Sequence, residues 1–346
     1  MAVEIIGTGR ALPRQRMTNN ALAESIDTSD EWIRSHTGIG SRYIADENTA
    51  CSDLALEAAK NALAMAAGFT GGSPELRDCA ALDAAATLDI IILGTATADF
   101  IGCPSTACIV QNKLGARKAA AMDISAGCTG FIYGLETAAG LLGSGTKRKR
   151  ALVIGAEVLS KALNWEDRGT CIIFGDGAGA VVIERTETLP SERRGLICSV
   201  LCADGSGGDN LLFRRGGSRF PFKAGETIEK PIHVEMKGQE VYYFAVRAMI
   251  ATIEKLLADG EISIADLKWI VPHQANIRII KTAAKNLGIP MEKFYLNIEE
   301  YANTSAASIP IALDELNRAN QLGSGDLIMT VGFGGGFTYG GNVIIW

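Results

Sequence analysis

The chain lacks the residues and patterns that mark several common classes of protein. Its 346 residues include only three histidines, aromatic residues make up 6%, and the eight cysteines form no CxxC pair. Most of these cysteines stand among apolar or strand-like residues, as core cysteines do in a reducing cytosol. No apolar run approaches the length of a membrane span, and no charged segment precedes an apolar run at the N-terminus. We therefore expect a soluble, cytoplasmic protein.

The overall composition is that of a globular protein with a large core. Hydrophobic residues make up 47% of the chain and charged residues 21%, and there are 39 glycines. The length suffices for two domains or for one duplicated domain. The net charge of −6 argues against general binding of nucleic acid but leaves room for a local basic patch that meets an acidic partner.

Apolar runs of strand length alternate with helical patterns along the chain. Residues 88–94 and 151–155 are nearly continuous apolar runs, which suit strands covered on both faces. Helical patterns occupy 52–67 and 106–114. Strands that alternate with helices predict an α/β fold with largely parallel sheets.

The second half of the chain repeats the order of the first. Residues 269–272 match 90–93 as a buried strand, and a predicted strand at 294–298 leads into a strand–helix corner at Asn303. That corner matches one that carries Cys128. Residue identities barely repeat, so the duplication is one of pattern. Two equivalent corners can face each other across a pseudo-twofold axis.

Cys128 is the first candidate for a reactive group. The segment 121–135, AMDISAGCTGFIYGL, predicts a strand that turns sharply into a helix at this cysteine. Free N–H groups and the helix dipole favour a thiolate at the first turn of a helix. A thiolate there would serve as a nucleophile. The alternative is a small buried cysteine that fills a strand–helix corner.

His273 and Asn303 are the candidates for its partners. His273 follows the buried strand 269–272, and the duplication places it beside the Asn303 corner. Cys, His and Asn together suit thioester chemistry, since the cysteine takes an acyl group while imidazole and carboxamide donate hydrogen bonds to an enolate-like oxygen. A satisfied core histidine is the alternative. The other two histidines, His36 and His233, are interpreted as structural or surface residues.

A glycine-rich run at 332–337 offers a close backbone approach to a substrate. We expect the N–H groups of Gly335 and Cys128 to form an oxyanion hole for acyl transfer. A flexible turn before the last strand is the alternative. A phosphate-binding loop is disfavoured because no GK[ST] follows.

Two further patterns allow more than one interpretation. Residues 276–287 predict a helix with a basic stripe that includes Arg278, which is either a solvated face or a docking site for an acidic carrier. Trp32 lies near a helix start capped by Thr28 or Ser29. It is either a core residue or a flat face for a purine ring.

Several independent motifs are spread over the chain. Any one of them alone is not specific, but their occurrence together in this order is. They are TSDEWI (28–33), TGI (37–39), DISAGCTGF (123–131), DRGT (167–170), FGDGAGA (174–180), HQANIR (273–278), NTSAASIP (303–310) and GFGGGFTYG (332–340). Through them the chain resembles, over essentially its whole length, the bacterial β-ketoacyl-acyl-carrier-protein synthase III family. Its members are the initiating condensing enzymes of type II fatty-acid synthesis and have the thiolase fold.

The resemblance implies a five-layered αβαβα sandwich of two pseudo-repeated halves. The N-terminal half, 1–177, would carry the nucleophile, and the C-terminal half, 178–346, the histidine, asparagine and glycine-rich loop. The implied reaction is a decarboxylative condensation of an acyl-coenzyme A primer with malonyl-acyl-carrier protein, which gives 3-ketoacyl-carrier protein. It needs no metal or other cofactor, since the coenzyme A thioester is a substrate.

The resemblance also implies a role for each motif. Cys128 is the acylated nucleophile, and His273 and Asn303 stabilise the enolate formed when CO₂ leaves. Phe333 assists decarboxylation by presenting an apolar surface to the carboxylate. A single cysteine with a His–Asn pair separates this group from the elongating synthases and from the thiolases.

Substrate and partner contacts are implied as well. Trp32 and Arg168 would sandwich the adenine of coenzyme A, with Thr28 nearby, and Asn276 would line the pantetheine channel. The contacts with the acyl carrier protein are Gln274, Ala275, Asn276, Ile277 and Arg278. The implied assembly is a homodimer.

The sequence departs from the family pattern at three places. His36 stands before TGI where an arginine is common, so a contact with a coenzyme A phosphate would fall to Arg34 instead. Cys103 stands where many relatives have a phenylalanine that caps the primer pocket from the partner subunit, which predicts room for a longer or branched primer. The excursion at 68–87 is longer than usual, and no function is predicted for it.

Two alternatives stay open at this point. One keeps the fold but assigns an acyltransferase or ketide synthase of secondary metabolism. The other, more remote, is a cysteine hydrolase that uses Cys128 and His273, because papain-like enzymes also pair Cys with His and Asn. Those enzymes place their cysteine near the mature N-terminus in a different local sequence.

Overall fold

Two β-sheets form the frame of the molecule. The structure is a computed structural model that describes residues 2–143, 147–187, 193–213, 216–222, 225 and 233–346. Within these residues the first sheet has five strands in the order β1-β7-β6-β4-β5, and the second has four in the order β11-β12-β13-β8. Their bounds are Ala2–Ala11 (β1), Ile90–Gly94 (β4), Ala120–Ile124 (β5), Arg150–Glu157 (β6), Gly177–Thr186 (β7), Gly195–Ala203 (β8), Leu267–Pro272 (β11), Leu327–Gly334 (β12) and Thr338–Ile345 (β13).

The two sheets have the same plan of pairing. In the first, β4 runs parallel to β5 and β6, while β7 is antiparallel to β6 and β1. In the second, β11 runs parallel to β12, while β13 is antiparallel to β12 and β8. The predicted repetition of strand order is therefore present in the structure.

The predicted strand at 294–298 is wrong. In its place the structure has an isolated parallel bridge between Phe294 and Ile270, in the position that β5 occupies in the first sheet. The chain enters this bridge from a 3-10 helix, Met291–Lys293, and leaves it into the short helix α9, Ile298–Tyr301. The Gln274 side chain accepts the backbone N–H of Asn297, which diverts the backbone from the strand.

Helices cover both outer faces and fill the space between the sheets. Helices α6 and α10 pack against strands of both sheets, α3 and α5 cover the outer face of the first, and α7 covers the outer face of the second with α8 beside it. Their bounds are Cys51–Ala66 (α3), Thr106–Lys113 (α5), Gly130–Gly143 (α6), Gly238–Gly260 (α7), Ile277–Leu287 (α8) and Ser308–Arg318 (α10). The result is the αβαβα sandwich that was expected.

The central strand β4 shows why such a run must be apolar throughout. Its residues Ile90, Ile91, Ile92 and Leu93 are all buried. Because successive side chains in a strand point to opposite faces, Ile91 and Leu93 join the outer cluster around α3 while Ile90 and Ile92 join the cluster around α6. A polar residue at any of the four would lie unsolvated in one core or the other.

The predicted boundary between the halves does not coincide with the division of the sheets. A division at 177/178 cuts β7, which pairs with β1 and β6 in the first sheet. The next strand, β8, begins at Gly195 and pairs in the second sheet. The chain therefore crosses from one sheet to the other after Thr186.

Smaller elements complete the described chain. They are β2 (Gln15–Thr18), α1 (Asn19–Ala23), α2 (Asp30–Thr37), β3 (Ser41–Ile44), α4 (Pro74–Ala85), β9 (Leu211–Phe213), β10 (Val234–Met236) and 3-10 helices at Gly127–Thr129, Leu159–Ala162, Gly205–Asn210 and Ser305–Ala307. The excursion at 68–87 thus contains an ordered helix, α4, with Ser73 as its cap and Ala81 and Ala85 buried. None of the helices in the described part of the chain is long and apolar enough to cross a bilayer.

Candidate active site

Cys128 lies in the turn between the parallel strand β5 and the central helix α6. The strand ends at Ile124, the 3-10 helix Gly127–Thr129 follows, and α6 begins at Gly130. Gly127 has φ of +51° and lies so close to Gly335 that a Cβ there would come within 2.8 Å of the Gly335 nitrogen. Glycine is therefore required at this turn by both conformation and space.

The environment of Cys128 corrects one expectation. We expected the helix start to favour a thiolate, yet burial raises the pKa of Cys128 to about 12. A hydrogen bond with Ser305 and the backbone N–H groups of Cys128 and Gly335 act in the opposite direction without offsetting burial. The resting side chain is therefore a thiol, because the cost of burying a charge exceeds what these donors return.

His273 follows the last residue of β11, and its position is fixed at two atoms. Its backbone N–H donates to the carbonyl of Val331, and its Nδ1 lies 2.8 Å from the Ser308 hydroxyl oxygen. Burial lowers the pKa of His273 to about 3, so the imidazole is neutral. Its ring meets the ring of Phe333 edge-on, with centroids 5.4 Å apart.

Asn303 lies at the second corner and is held by backbone and side chain together. Its backbone N–H donates to Ile173, and its carbonyl accepts from Gly175. Its side-chain oxygen accepts the backbone N–H of Ser305 at 2.8 Å. The carboxamide oxygen is thereby occupied, which leaves the NH₂ group as the donor available to a ligand.

The structure brings Cys128, His273 and Asn303 to one cavity, and each is buried. Phe333 and Gly334 line the same cavity, and a Cβ on Gly334 would overlap the Cys128 nitrogen. The rest of the lining is mostly apolar and includes Ile172, Phe174, Leu211, Val241, Phe244, Ile279 and Phe337. Such a cavity suits a largely apolar chain that ends in a reactive carbonyl.

Gly335 lies on the other side of Cys128, in an adjoining cavity. The backbone N–H groups of Gly335 and Cys128 lie at this cavity and act to lower the pKa of the Cys128 thiol, against the larger effect of burial. Two converging donors next to a nucleophile are the arrangement that stabilises an oxyanion. This second cavity is lined by Ala96, Ser125, Gly127, Cys128, Leu159, Phe174, Leu211, Leu212, Phe213, Val234, Ser305 and Gly335.

Trp32, His36, Arg168 and Asn276 line the first cavity as well. The Arg168 guanidinium carbon lies 4.7 Å from the centre of the Trp32 ring, and the His36 ring is stacked on Trp32 with centroids 4.2 Å apart. Asn276 caps α8 and donates from its side chain to the carbonyl of His36. Thr28 is not part of the lining, and its hydroxyl is buried with no hydrogen-bond partner.

The site explains what His36 and Arg34 do. The His36 Nδ1 atom lies 2.7 Å from the carbonyl oxygen of Trp32, which fixes the ring against the indole. The Arg34 guanidinium bonds to the carboxylates of Asp30 and Glu299. The expectation that Arg34 would reach a coenzyme A phosphate is therefore not supported, since its Nε and Nη1 atoms are held by two carboxylates.

The segment Gln274–Arg278 is only partly accessible. Gln274 is 1% exposed, donates to the carbonyls of Pro272 and Tyr295, and accepts from Asn297. The burial of Gln274 does not support its predicted contact with the carrier protein, because the polar atoms of its side chain are bonded inside the protein. Of the remaining four residues, Ala275, Asn276 and Ile277 are half-buried and Arg278 is exposed.

Cys103 lies in the loop between β4 and α5 and is exposed. It lines neither of the two cavities at Cys128. In this single chain it does not limit the space beside the nucleophile, and its predicted effect on the primer pocket would require a partner subunit.

Sequence reasoning missed three polar residues of this site. Ser308 bonds His273, Ser305 lines the second cavity beside Cys128, and Glu157 accepts the Ser305 hydroxyl at 2.9 Å. Both serines stand in the NTSAASIP motif but were given no role. Glu157 could have been found as an acid at the carboxyl end of the otherwise apolar run at 151–156. Among the described residues no cluster of three His, Cys, Asp or Glu side chains could hold a metal ion.

Comparisons with known proteins agree with this geometry. The family model for 3-oxoacyl-[acyl-carrier-protein] synthase III matches residues 122–205, and the model for its C-terminal part matches 257–346. The β-ketoacyl-[acyl-carrier-protein] synthase III of Clostridium perfringens is 49% identical, over 99% of this chain and 98% of that protein.

Two solved structures place the fold among condensing enzymes. A crystal structure of 3-oxoacyl-[acyl-carrier-protein] synthase III from Aquifex aeolicus VF5 matches with a TM-score of 0.86 and 40% identity, over all of both chains. The priming β-ketosynthase of the R1128 polyketide pathway matches with a TM-score of 0.86 and 30% identity, over 99% of this chain and 96% of that one.

Proposed function

Because the chain belongs to the β-ketoacyl-[acyl-carrier-protein] synthase III family, we propose that Cys128, His273 and Asn303 carry out its condensation. The protein is an acyltransferase of the condensing type that initiates fatty-acid synthesis. The observation that carries the assignment of residues is the convergence of the three side chains on one apolar cavity.

In the first half-reaction an acyl group passes from coenzyme A to Cys128. The sulfur attacks the thioester carbonyl, and the developing oxyanion lies between the N–H groups of Cys128 and Gly335. Both residues already line the cavity at the sulfur in the free protein, where the Gly127 turn packs against the Gly335 nitrogen. Little reorganisation is needed when charge develops, which is how fixed dipoles lower such a barrier.

In the second half-reaction a malonyl thioester enters the same cavity and loses CO₂. The negative charge that moves onto its thioester oxygen is stabilised by N–H donors of neutral His273 and of the Asn303 carboxamide. Phe333 presents an apolar surface to the departing carboxylate, whose loss of charge is favoured where water is excluded. The carbanion then attacks the carbonyl carbon of the acyl group on Cys128. A C–C bond forms, the C–S bond to Cys128 breaks, and the cysteine sulfur leaves as a thiolate that takes up a proton.

The primer would lie in the second cavity, beyond Cys128. Its lining is mostly apolar and includes Leu211, Leu212 and Phe213. In a dimer the partner subunit would bring its residue 103 to this cavity, and because that residue is a cysteine rather than a bulkier one, we propose a primer longer or more branched than acetyl. Turnover of acetyl-, isobutyryl- and octanoyl-coenzyme A tests this, and a strict preference for acetyl would refute it.

Coenzyme A and a carrier protein would approach from the face that Trp32, Arg168 and α8 form. Arg168 and Trp32 offer a planar pair for a purine ring; because the Arg168 guanidinium carbon lies only 4.7 Å from the centre of the Trp32 ring, Arg168 would move aside for a purine to enter between them. Exposed Arg278 lies on the same face and suits an acidic carrier. No metal or redox group enters either half-reaction as proposed.

A cytoplasmic homodimer forms part of the proposal. The exposed side chains of Phe100, Ile101 and Phe222 support it, since Ile101 and Phe222 both approach Gly216 and form one apolar cluster. The edge strand β5 also has one neighbour only, β4, in the described sheet. Sedimentation equilibrium of the purified chain tests the dimer.

The reaction itself is tested by condensation of an acyl-coenzyme A with malonyl-carrier protein. We expect 3-ketoacyl-carrier protein, with release of CO₂ and coenzyme A in equal amounts. The likeness to a polyketide priming synthase favours, as a second candidate, a synthase of secondary metabolism that would ignore this acceptor. Release of free acid faster than condensation would instead indicate a cysteine hydrolase.

A further inference from the structure

Glu157 is a buried carboxylate beside the nucleophile that neither half-reaction uses as described above. It ends β6 and is 0% exposed. Its oxygens accept hydrogen bonds from the backbone N–H of Ala96 and from the hydroxyls of Thr95, Thr97 and Ser305, at 3.1, 3.2, 2.6 and 2.9 Å. Burial of a carboxylate at the end of an apolar strand is costly, and the four donors offset only part of that cost. Such a group indicates a functional role.

Ser305 joins Glu157 to Cys128. Its hydroxyl donates to Oε1 of Glu157 at 2.9 Å, and its side chain lines the same cavity as Cys128. A serine hydroxyl has one proton and two lone pairs. When that proton points at Glu157, the oxygen can accept the S–H of Cys128. A continuous path then runs from sulfur through hydroxyl to carboxylate.

The backbone of Ser305 supports a functional position. It has φ of +49°, in the left-handed region that residues with a side chain seldom adopt. The Asn303 side-chain oxygen holds the Ser305 N–H in this conformation. Unfavourable backbone geometry of this kind persists where the surrounding structure enforces it, most often at functional sites.

The resting thiol needs a proton acceptor, and His273 is poorly suited to that task. Burial holds the pKa of Cys128 at about 12 and that of His273 at about 3. An imidazole so weakly basic takes up little proton near neutral pH. Burial has the opposite effect on Glu157 and raises its pKa to about 7. An acceptor works best when its pKa lies near the working pH.

We propose that Glu157, through Ser305, takes up the proton of Cys128 during acylation. The S–H bond breaks as its proton passes to the Ser305 oxygen and the Ser305 proton passes to Oε1 of Glu157. The sulfur forms a bond to the thioester carbonyl carbon, and coenzyme A leaves as its thiolate. Glu157 is left as a neutral acid and returns the proton to that thiolate. The inference rests on the proposed acyl transfer to Cys128.

Other ionisable groups near Glu157 are distinguishable from it. Within the described residues they are Cys51, Cys128, Asp99, Asp123, Lys161 and Asp176. Asp123 accepts the backbone N–H groups of Thr106 and Ala107. Burial, then the charge of Glu157, raises the pKa of Cys51 well above its usual value, so it stays a thiol. Asp99 and Asp176 accept from other donors, and Lys161 bonds backbone carbonyls. Among these carboxylates, Glu157 is the one to which the Thr97 hydroxyl donates.

The test is single-turnover acylation of Cys128 by an acyl-coenzyme A, followed by mass spectrometry across pH. In the wild type we expect the rate to rise with pH and level off, with half its maximum near pH 7, the pKa of Glu157. Glu157→Gln and Ser305→Ala should each lower the rate at neutral pH by about 10²-fold, and their rates should keep rising with pH. Ser305→Ala leaves the carboxylate in place if Glu157→Gln fails to fold.

Two variants at Thr97 form a matched pair. They test the pH midpoint of acylation, which would not change if Glu157 had only a structural role. Thr97→Val removes a donor from Glu157, which should raise its pKa and shift the midpoint to higher pH, while Thr97→Ser should leave the midpoint in place. The inference is overturned if Glu157→Gln and Ser305→Ala acylate with the rate and pH dependence of the wild type. If the wild type itself is never acylated, the proposed function fails first.

Discussion

The Nδ1 atom of His273 lies 2.8 Å from the hydroxyl oxygen of Ser308. The same oxygen is 3.4 Å from the backbone nitrogen of Gln274. A backbone N–H can only donate, so the Ser308 oxygen accepts from Gln274. We assign the Ser308 O–H as the donor to Nδ1. That assignment leaves the proton of the neutral imidazole on Nε2, the nitrogen available to a ligand in the cavity.

Loss of the Ser308 hydroxyl should therefore impair decarboxylation without affecting acylation. For Ser308→Ala we expect CO₂ release from malonyl-carrier protein to fall about 10-fold, since an orienting hydrogen bond is worth roughly 1.4 kcal/mol. Acylation of Cys128 should keep its wild-type rate. Ser308→Thr, which keeps the hydroxyl, should recover most of the loss. Wild-type CO₂ release by Ser308→Ala would show that Ser308 does not orient the imidazole.

Decarboxylation should not show the titration of an ordinary histidine. Burial lowers the pKa of His273 from 6.5 to about 3 in the folded protein, so the neutral ring persists as the pH falls through 6.5. The rate of CO₂ release by Cys128→Ala, measured from about pH 5 to 8, should show no change that reflects titration of His273. Loss of activity with a midpoint near 6.5 would contradict the assignment.

The same shift has a consequence for stability. Between about pH 3 and 6.5 the unfolded chain binds a proton at His273 that the folded protein does not, so this residue makes the free energy of unfolding increase with pH. The contribution of His273 to the free energy of unfolding is complete above pH 6.5 and is lost as the pH falls toward 3. His273→Gln should flatten that part of the curve in urea titrations at pH 5 and 7. An unchanged slope would mean that the ring is not held neutral.

The stack of His36 on Trp32 should matter only for substrates that carry a nucleotide. His36→Ala removes a ring 4.2 Å from the indole. We expect it to raise the KM for acyl-coenzyme A by about 3- to 10-fold, the worth of one aromatic pair. The KM for the corresponding acyl-pantetheine should not change. His36→Phe, which keeps a planar ring, serves as the control, and an equal rise for both substrates would place the effect elsewhere.

A charge reversal at Arg278 should weaken the carrier-bound substrate selectively. Arg278 is exposed, and its guanidinium also bonds the carbonyl of Ser35. Arg278→Glu should raise the apparent KM for malonyl-carrier protein more than the KM for acyl-coenzyme A. Arg278→Ala loses the same contact with Ser35 without adding a negative charge, so its effect should be smaller. Lys118→Glu, before β5 and away from the cavity, should have none. Equal effects of the two Arg278 variants would show that the contact, not the charge, matters.

Much of this architecture could be predicted from local pattern. The continuous apolar run of β4 indicated a strand buried on both faces, and the turn at Cys128 indicated a nucleophile between a strand and a helix. The duplication then placed His273 and Asn303 on the same side of the molecule. These features follow from spacing and residue size, which a sequence shows directly.

The failures have a common physical origin in contacts between distant residues. The resemblance implied a contact of Gln274 with the carrier protein, yet its side chain bonds two carbonyls and an N–H that approach from β11 and the 294–297 segment. The protonation of Cys128 could not be predicted, since it depends on burial rather than on its place at a helix start. The link between Glu157 and the site could not be predicted from local sequence, because its partner Ser305 is 148 residues away in the chain.

The division of labour at the cavity is tested most directly by intact-protein mass spectrometry after exposure to acyl-coenzyme A, with peptide mapping and a parallel assay of CO₂ release. The wild type should gain one acyl group on the peptide that contains Cys128. Asn303→Ala should gain the same group but release no CO₂ from malonyl-carrier protein, and Cys128→Ala should gain none. An acyl group on another residue, or undiminished condensation by Asn303→Ala, would contradict the account.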